Sequence, residues 1–161
     1  MINSMRKWQN NSVNKYLVFG LRVVIGLIFV IAGLSKTTAP IAEFIGLARQ
    51  WNILPEPYVT IYAFLLPWVE LVFGLTLLFG AWSRLSAFIV LLMLLSFLIA
   101  IGINISRGTL LQDCGCFGGW FELGATFQEL FWRDAAMFVG TLWIMFMPKP
   151  LWLSVDQWLT S

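Results

Sequence analysis

The chain reads as an all-α membrane protein, a four-transmembrane-helix bundle. Two observations predict it. Of its 161 residues 60% are hydrophobic and only 11% charged, with a mean hydropathy of +0.84. A soluble domain of this length lacks the interior to hide so much apolar side chain. The apolar residues also fall into four long runs, each close to the roughly 20 residues a helix needs to cross a bilayer.

The first run extends from about Tyr16 to Leu34, behind a polar, Asn-rich start that carries Arg6, Lys7 and Lys15. It is too long for the apolar core of a signal peptide and has no clear small-x-small cleavage site, so it reads as a retained anchor. The second runs from Tyr58 to Phe79 and the third from Leu85 to Ile105. The fourth spans Phe131 to Met147, includes Arg133 and Asp134, and can extend back toward Phe127. Pro148 and Pro150 end it, because proline cannot continue a helical hydrogen-bond ladder. The chain divides into an N-terminal cytoplasmic segment (1–15), a membrane domain (16–147) and a C-terminal tail (148–161). In the tail Leu151, Trp152, Val155, Trp158 and Leu159 recur at helical spacing. That pattern suits a helix lying in the interface, and equally a frayed terminus.

Lysine and arginine placement sets the orientation. With four spans, Arg6, Lys7, Lys15, Arg84 and Lys149 share one side, and Lys36, Arg49, Arg107 and Arg133 the other. Three of the first group precede the first helix, which usually dominates topology. The N-terminus is therefore expected in the cytoplasm, in a cytoplasmic (inner) membrane, with the loop between the third and fourth spans extracytoplasmic.

Composition excludes several functions. The net charge of +2 comes from scattered basic residues, which form no stripe for nucleic acid. Histidine is absent, which removes His-ligated haem, the usual zinc sites and Ser-His or Cys-His catalytic pairs within this chain.

Arg22 and Glu70 stand within apolar runs, where ionisable side chains are costly and usually paired. Counted at 1.5 Å per residue, Arg22 lies about 9 Å and Glu70 about 15 Å from the inner ends of their spans. A structural Arg22–Glu70 pair between adjacent antiparallel helices is expected, with a proton or quinone site around Glu70 as the functional alternative. Gly26, Gly33 and Gly74 would allow the helices to approach closely.

The chain's two cysteines stand one glycine apart, in Asp113-Cys114-Gly115-Cys116-Phe117-Gly118. This loop joins the third and fourth spans and is expected on the oxidising side of the membrane, where disulfides persist. A vicinal thiol pair there suggests thiol–disulfide exchange. The N-terminal ends of the second and fourth helices point toward that side, and Lys36 and Arg107 lie near it by topology. Their positive potential favours thiolate, while Asp113 and Glu122 oppose it. Two inert cysteines and a two-thiolate Cu(I) site are the alternatives; zinc or an Fe–S cluster needs more ligands than the chain offers.

Several blocks together resemble the MauE/DoxX family of small four-helix membrane proteins. They are Arg22 with Gly26 and Ala32-Gly33-Leu34-Ser35-Lys36 in the first helix, and Leu66-Pro67-Trp68-Val69-Glu70-Leu71 with Gly74 in the second. The loop Cys114-Gly115-Cys116-Phe117-Gly118 and the pair Arg133-Asp134 complete the match, which covers roughly residues 16–147. The resemblance implies a bundle in the cytoplasmic membrane working with thiol–redox or quinone-linked systems. It further implies a thioredoxin-like extracytoplasmic partner, in maturation of a disulfide-rich enzyme such as methylamine dehydrogenase. No cofactor is established by the residues; quinone is the one the resemblance allows, although a second cysteine pair of the kind common in quinone-reducing membrane proteins is missing.

Cys114 and Cys116 are thus the expected catalytic residues of a membrane thiol–disulfide oxidoreductase, with Lys36 and Arg107 tuning them. The alternative is a non-catalytic membrane subunit that anchors or assembles a redox complex. Partners in either case are the lipid bilayer and redox-complex proteins, not nucleic acid.

Overall fold

A computed structural model describes residues 12–108 and 127–146. The described residues form five helices: α1 (Ser12–Thr38), α2 (Ile41–Gln50), α3 (Tyr58–Phe79), α4 (Ser83–Ser106) and α5 (Phe127–Phe146). α1, α3 and α4 are each long and apolar enough to cross a membrane, which makes this a multi-pass membrane protein. The expected span limits for the second run coincide with α3, and α1 and α4 extend the expected first and third runs by a few residues. α5 begins at Phe127, the earlier of the two expected starts, and carries Glu129, Arg133 and Asp134 in its first eight residues.

The long helices pack in a ring, α1 on α3, α3 on α4, α4 on α5 and α5 back on α1, and the α1–α3 contact is the most extensive. Consecutive long helices run antiparallel. In α1 and α3, Gly26 meets Leu78 and Gly74, while Gly33 meets Leu71 and Pro67. In α3 and α4, Thr76 meets Ser86 at one end and Tyr62 meets Ser96 toward the other.

Small residues set the α1–α3 spacing. A methyl group on Gly33 would stand 2.7 Å from the Leu71 backbone nitrogen and 2.8 Å from the Pro67 carbonyl oxygen. Neither backbone atom can move aside cheaply, so only glycine permits this approach. The glycines singled out in the sequence are those at this seam.

Two short connections shape the ends. Pro40 cannot extend the α1 ladder, and the chain restarts there as α2, a ten-residue helix absent from the four-run reading. One face of α2, with Phe44 and Ala48, is half-buried against the bundle, while Ile41, Glu43 and Arg49 are exposed. At the other end Gly80 takes the left-handed conformation (φ 71°) and ends α3. There the Ala81 N–H donates to the Thr76 carbonyl at 2.9 Å, the six-to-one bond of a Schellman turn.

Polarity is distributed as a lipid solvent demands. Large apolar side chains such as Leu27, Phe64, Trp68, Val72, Leu92 and Val139 are exposed on the outside of the ring. Arg22, Lys36, Glu70, Asn104, Asp134 and Thr141 are buried inside it. In hydrocarbon the outer surface carries no hydrophobic penalty, while an ionisable group must find its partners within the protein.

Candidate functional site

A cavity of about 400 Å³ opens inside the bundle at the end where α1 finishes and α3 begins. Apolar side chains from α1, α3, α4 and α5 form most of its wall, including Phe29, Leu66, Leu94 and Met137. Phe44 and Ala48 of α2, with Trp51, Ile53 and Leu54 beyond it, cover one side. Six polar side chains line the same space: Lys36, Tyr62, Glu70, Ser96, Arg133 and Asp134.

Lys36 and Glu70 form its central ion pair. The Lys36 ammonium donates to both carboxylate oxygens of Glu70, at 2.7 and 2.8 Å, and the residues are 3% and 1% exposed. Lys36 lies in the last turn of α1, where the helix C-terminal dipole favours a cation. Its ammonium also stands 5.3 Å from the Phe44 ring centroid and 5.9 Å from that of Phe97, within cation–π range. Arg133 and Asp134 form a second pair, in which the Arg133 Nε and Nη2 donate to one Asp134 oxygen at 3.1 and 3.0 Å. Asp134 is buried, while Arg133 is partly exposed.

The direction of the hydroxyl bonds follows from donor counting. Ser96 Oγ donates to the Met93 carbonyl at 2.7 Å, which uses its single proton. The Tyr62 hydroxyl, 3.3 Å from Ser96 Oγ, is therefore the donor of that contact, and its own oxygen keeps acceptor capacity toward the cavity.

These contacts correct one expectation: Glu70 pairs with Lys36, not Arg22. The α1–α3 seam explains why. With Gly33 against Leu71 and Pro67, Glu70 lies level with the residues just before Gly33. Arg22 is about ten residues away along α1, or roughly 15 Å. Helical side chains lean toward the helix N-terminus, so Lys36 reaches back down α1 to that level, while Arg22 leans the other way from Glu70. Arg22 is buried elsewhere in the bundle, its guanidinium carbon 5.5 Å from the Phe19 ring centroid.

Cys114 and Cys116 lie outside the described residues, as does the 148–161 tail. Lys36 is buried in the ion pair rather than at the surface. Arg107 is exposed and donates to the Asn52 carbonyl at 3.0 Å, which ties the end of α4 to the α2–α3 connection. Lys36 as the partner of Glu70, and Tyr62, Ser96 and Asp134 as its neighbours, were not foreseen as a site. The signal available for Lys36 was a lysine ending one apolar run and facing the acid of the next.

A family profile described as "Methylamine utilisation protein MauE" matches residues 14–147, well over half of the chain. The chain belongs to the MauE family. It is 33% identical over 105 residues to the methylamine utilization protein MauE of Paracoccus denitrificans, covering 65% of this chain and 56% of that protein. The MauE of Methylorubrum extorquens is 32% identical over 110 residues, covering 64% and 56%. That of Methylophilus methylotrophus is 36% identical over 74 residues, covering 46% and 39%. The chain thus spans little more than half the length of the first two relatives. No solved structure matches it. The MauE match takes in Lys36, Tyr62, Glu70, Ser96, Arg133 and Asp134.

Proposed function

We propose that this MauE-family protein is a membrane thiol–disulfide exchanger serving the maturation of an extracytoplasmic redox enzyme in methylamine utilisation. The observation that carries the proposal is the chain's lone Cys114-Gly115-Cys116 pair, in the segment joining α4 to α5 of a multi-pass bundle. In this reading α5 is the fourth span: its 20 residues reach about 30 Å, with Glu129 and Arg133 toward one end and Asp134 paired inside. The excess of basic residues before α1 supports a cytoplasmic N-terminus and an extracytoplasmic thiol segment, in the cytoplasmic membrane.

The chemistry is an exchange between two sulfur pairs. One thiolate of Cys114 or Cys116 attacks a disulfide of a thioredoxin-like partner and forms a mixed disulfide, expelling one partner thiolate. The second cysteine then attacks the mixed disulfide. The partner leaves as a dithiol and Cys114–Cys116 as a disulfide; the reverse direction balances in the same way.

Single Cys114→Ser and Cys116→Ser variants, expressed in the native host and separated without reductant, test this. One of them is expected to trap a reductant-sensitive adduct with a thioredoxin-like protein. If neither does, and the double variant still supports enzyme maturation, the protein is a non-catalytic membrane subunit instead.

A further inference from the structure

We infer that α2 and the connection after it form a lid over the Lys36–Glu70 pair, hinged at prolines on either side and latched by two exposed polar ties. The lid does not depend on the thiol chemistry of Cys114 and Cys116.

Its position gives it control of the pair. Phe44 and Ala48 of α2, then Trp51, Ile53 and Leu54, wall the cavity at the end where α1 finishes. The Phe44 ring centroid stands 5.3 Å from the Lys36 ammonium. Lifting α2 takes that ring away and admits water to two charged side chains that are otherwise buried. The ion pair is therefore dry with the lid down and wet with it up.

α2 is attached differently from the long helices. None of its ten residues is buried, whereas α3 buries seven and α4 nine. A segment with so little buried surface opens more readily than the bundle it covers. Pro40 on one side, and Pro55 and Pro57 on the other, lack the N–H that would carry a helical ladder through the joints. α2 can thus move as a unit without unwinding α1 or α3.

Two polar ties hold it down. The Arg49 Nε donates to one Glu56 oxygen, and the Thr60 hydroxyl donates to the other at 3.0 Å, which fixes the last turn of α2 to the first turn of α3. Arg107, at the end of α4, donates to the Asn52 carbonyl at 3.0 Å. Arg49, Asn52, Glu56 and Arg107 are all exposed, so each tie is weak and open to competition from water. Such a latch favours the shut state and leaves the open one within reach.

The test measures thiol reactivity in full-length protein in phosphatidylcholine nanodiscs, with Cys114 and Cys116 replaced by serine. Ala32→Cys, one turn before Lys36 and buried in the cavity wall, reports access; Ser96→Cys is a second reporter from α4. The probe is a trimethylammonium methanethiosulfonate, whose charge confines it to thiols that water reaches. Both reporters should react much more slowly than Glu43→Cys on the exposed face of α2. Arg107→Gln and Glu56→Gln should each speed the reporters about threefold, and together about tenfold, since the ties share no residue. Thr141→Cys, buried in α5 and outside the cavity wall, should keep its rate in every latch variant. Reporter rates that ignore the latch variants, or that already equal the Glu43→Cys rate with the latch intact, overturn the lid. An equal acceleration at Thr141→Cys also overturns it, because the ties would then hold the whole bundle rather than α2.

Discussion

Lys36 and Glu70, thirty-four residues apart in sequence, meet inside the bundle with the lysine ammonium on both carboxylate oxygens. The pair ties the last turn of α1 to the middle of α3, and both residues are buried. Removing one partner of such a pair leaves a charge with no water to solvate it, at a cost of about 3–5 kcal/mol. Glu70→Gln and Lys36→Met should each lower the unfolding midpoint in detergent markedly. The double variant Lys36→Met/Glu70→Leu should recover much of the loss, since two apolar side chains need no partner. Arg22→Gln combined with Glu70→Gln should give additive losses, because the two sites do not touch.

The α1–α3 seam gives a second expectation. Gly33→Ala places a methyl group against the backbone of Leu71 and Pro67 and should destabilise the protein by about 1–3 kcal/mol. Gly102→Ala has open space around it and sits within α4, so it should be neutral or stabilise by about 0.5–1 kcal/mol. Thermal unfolding of both variants checks the contrast. Equal losses would mean that the seam is looser than its geometry.

The outer surface of the ring should behave as lipid contact. Val72→Arg puts a cation on an exposed face near the middle of α3, where insertion of a charge costs about 2.5–3.5 kcal/mol. Val72→Leu should be silent. Membrane-inserted yield, measured after carbonate extraction, distinguishes them; retention of Val72→Arg at wild-type yield would place this face against protein or water.

Orientation is open to chemical labelling in a variant with both native cysteines replaced by serine. Glu43→Cys, exposed on α2, should react with an impermeant maleimide in intact spheroplasts. Trp82→Cys, exposed in the α3–α4 turn at the opposite end of the bundle, should react only in inside-out vesicles. The reverse pattern inverts the topology and removes the oxidising compartment from the thiol proposal.

Much of this architecture was legible in the sequence because hydrocarbon imposes a simple rule on backbone: each span must be a long apolar helix. The limits of α3 and the close-approach glycines follow from run length, small residues and breakers. α2 escaped notice because ten mixed residues after Pro40 carry no span-length signal, only a half-apolar face that matters once a bundle exists to receive it. What the sequence alone determined, then, was which long apolar segments are helices and that Glu70, inside one of them, needed a partner. Which cation supplied it was decided only in three dimensions. Depths counted from span ends favoured Arg22, but the meeting of Gly33 with Leu71 and Pro67 sets the register, and side-chain lean then brings Lys36 to the acid. The cavity is tertiary for the same reason: its polar lining comes from four helices, and only their packing brings Lys36, Tyr62, Glu70 and Asp134 around one space.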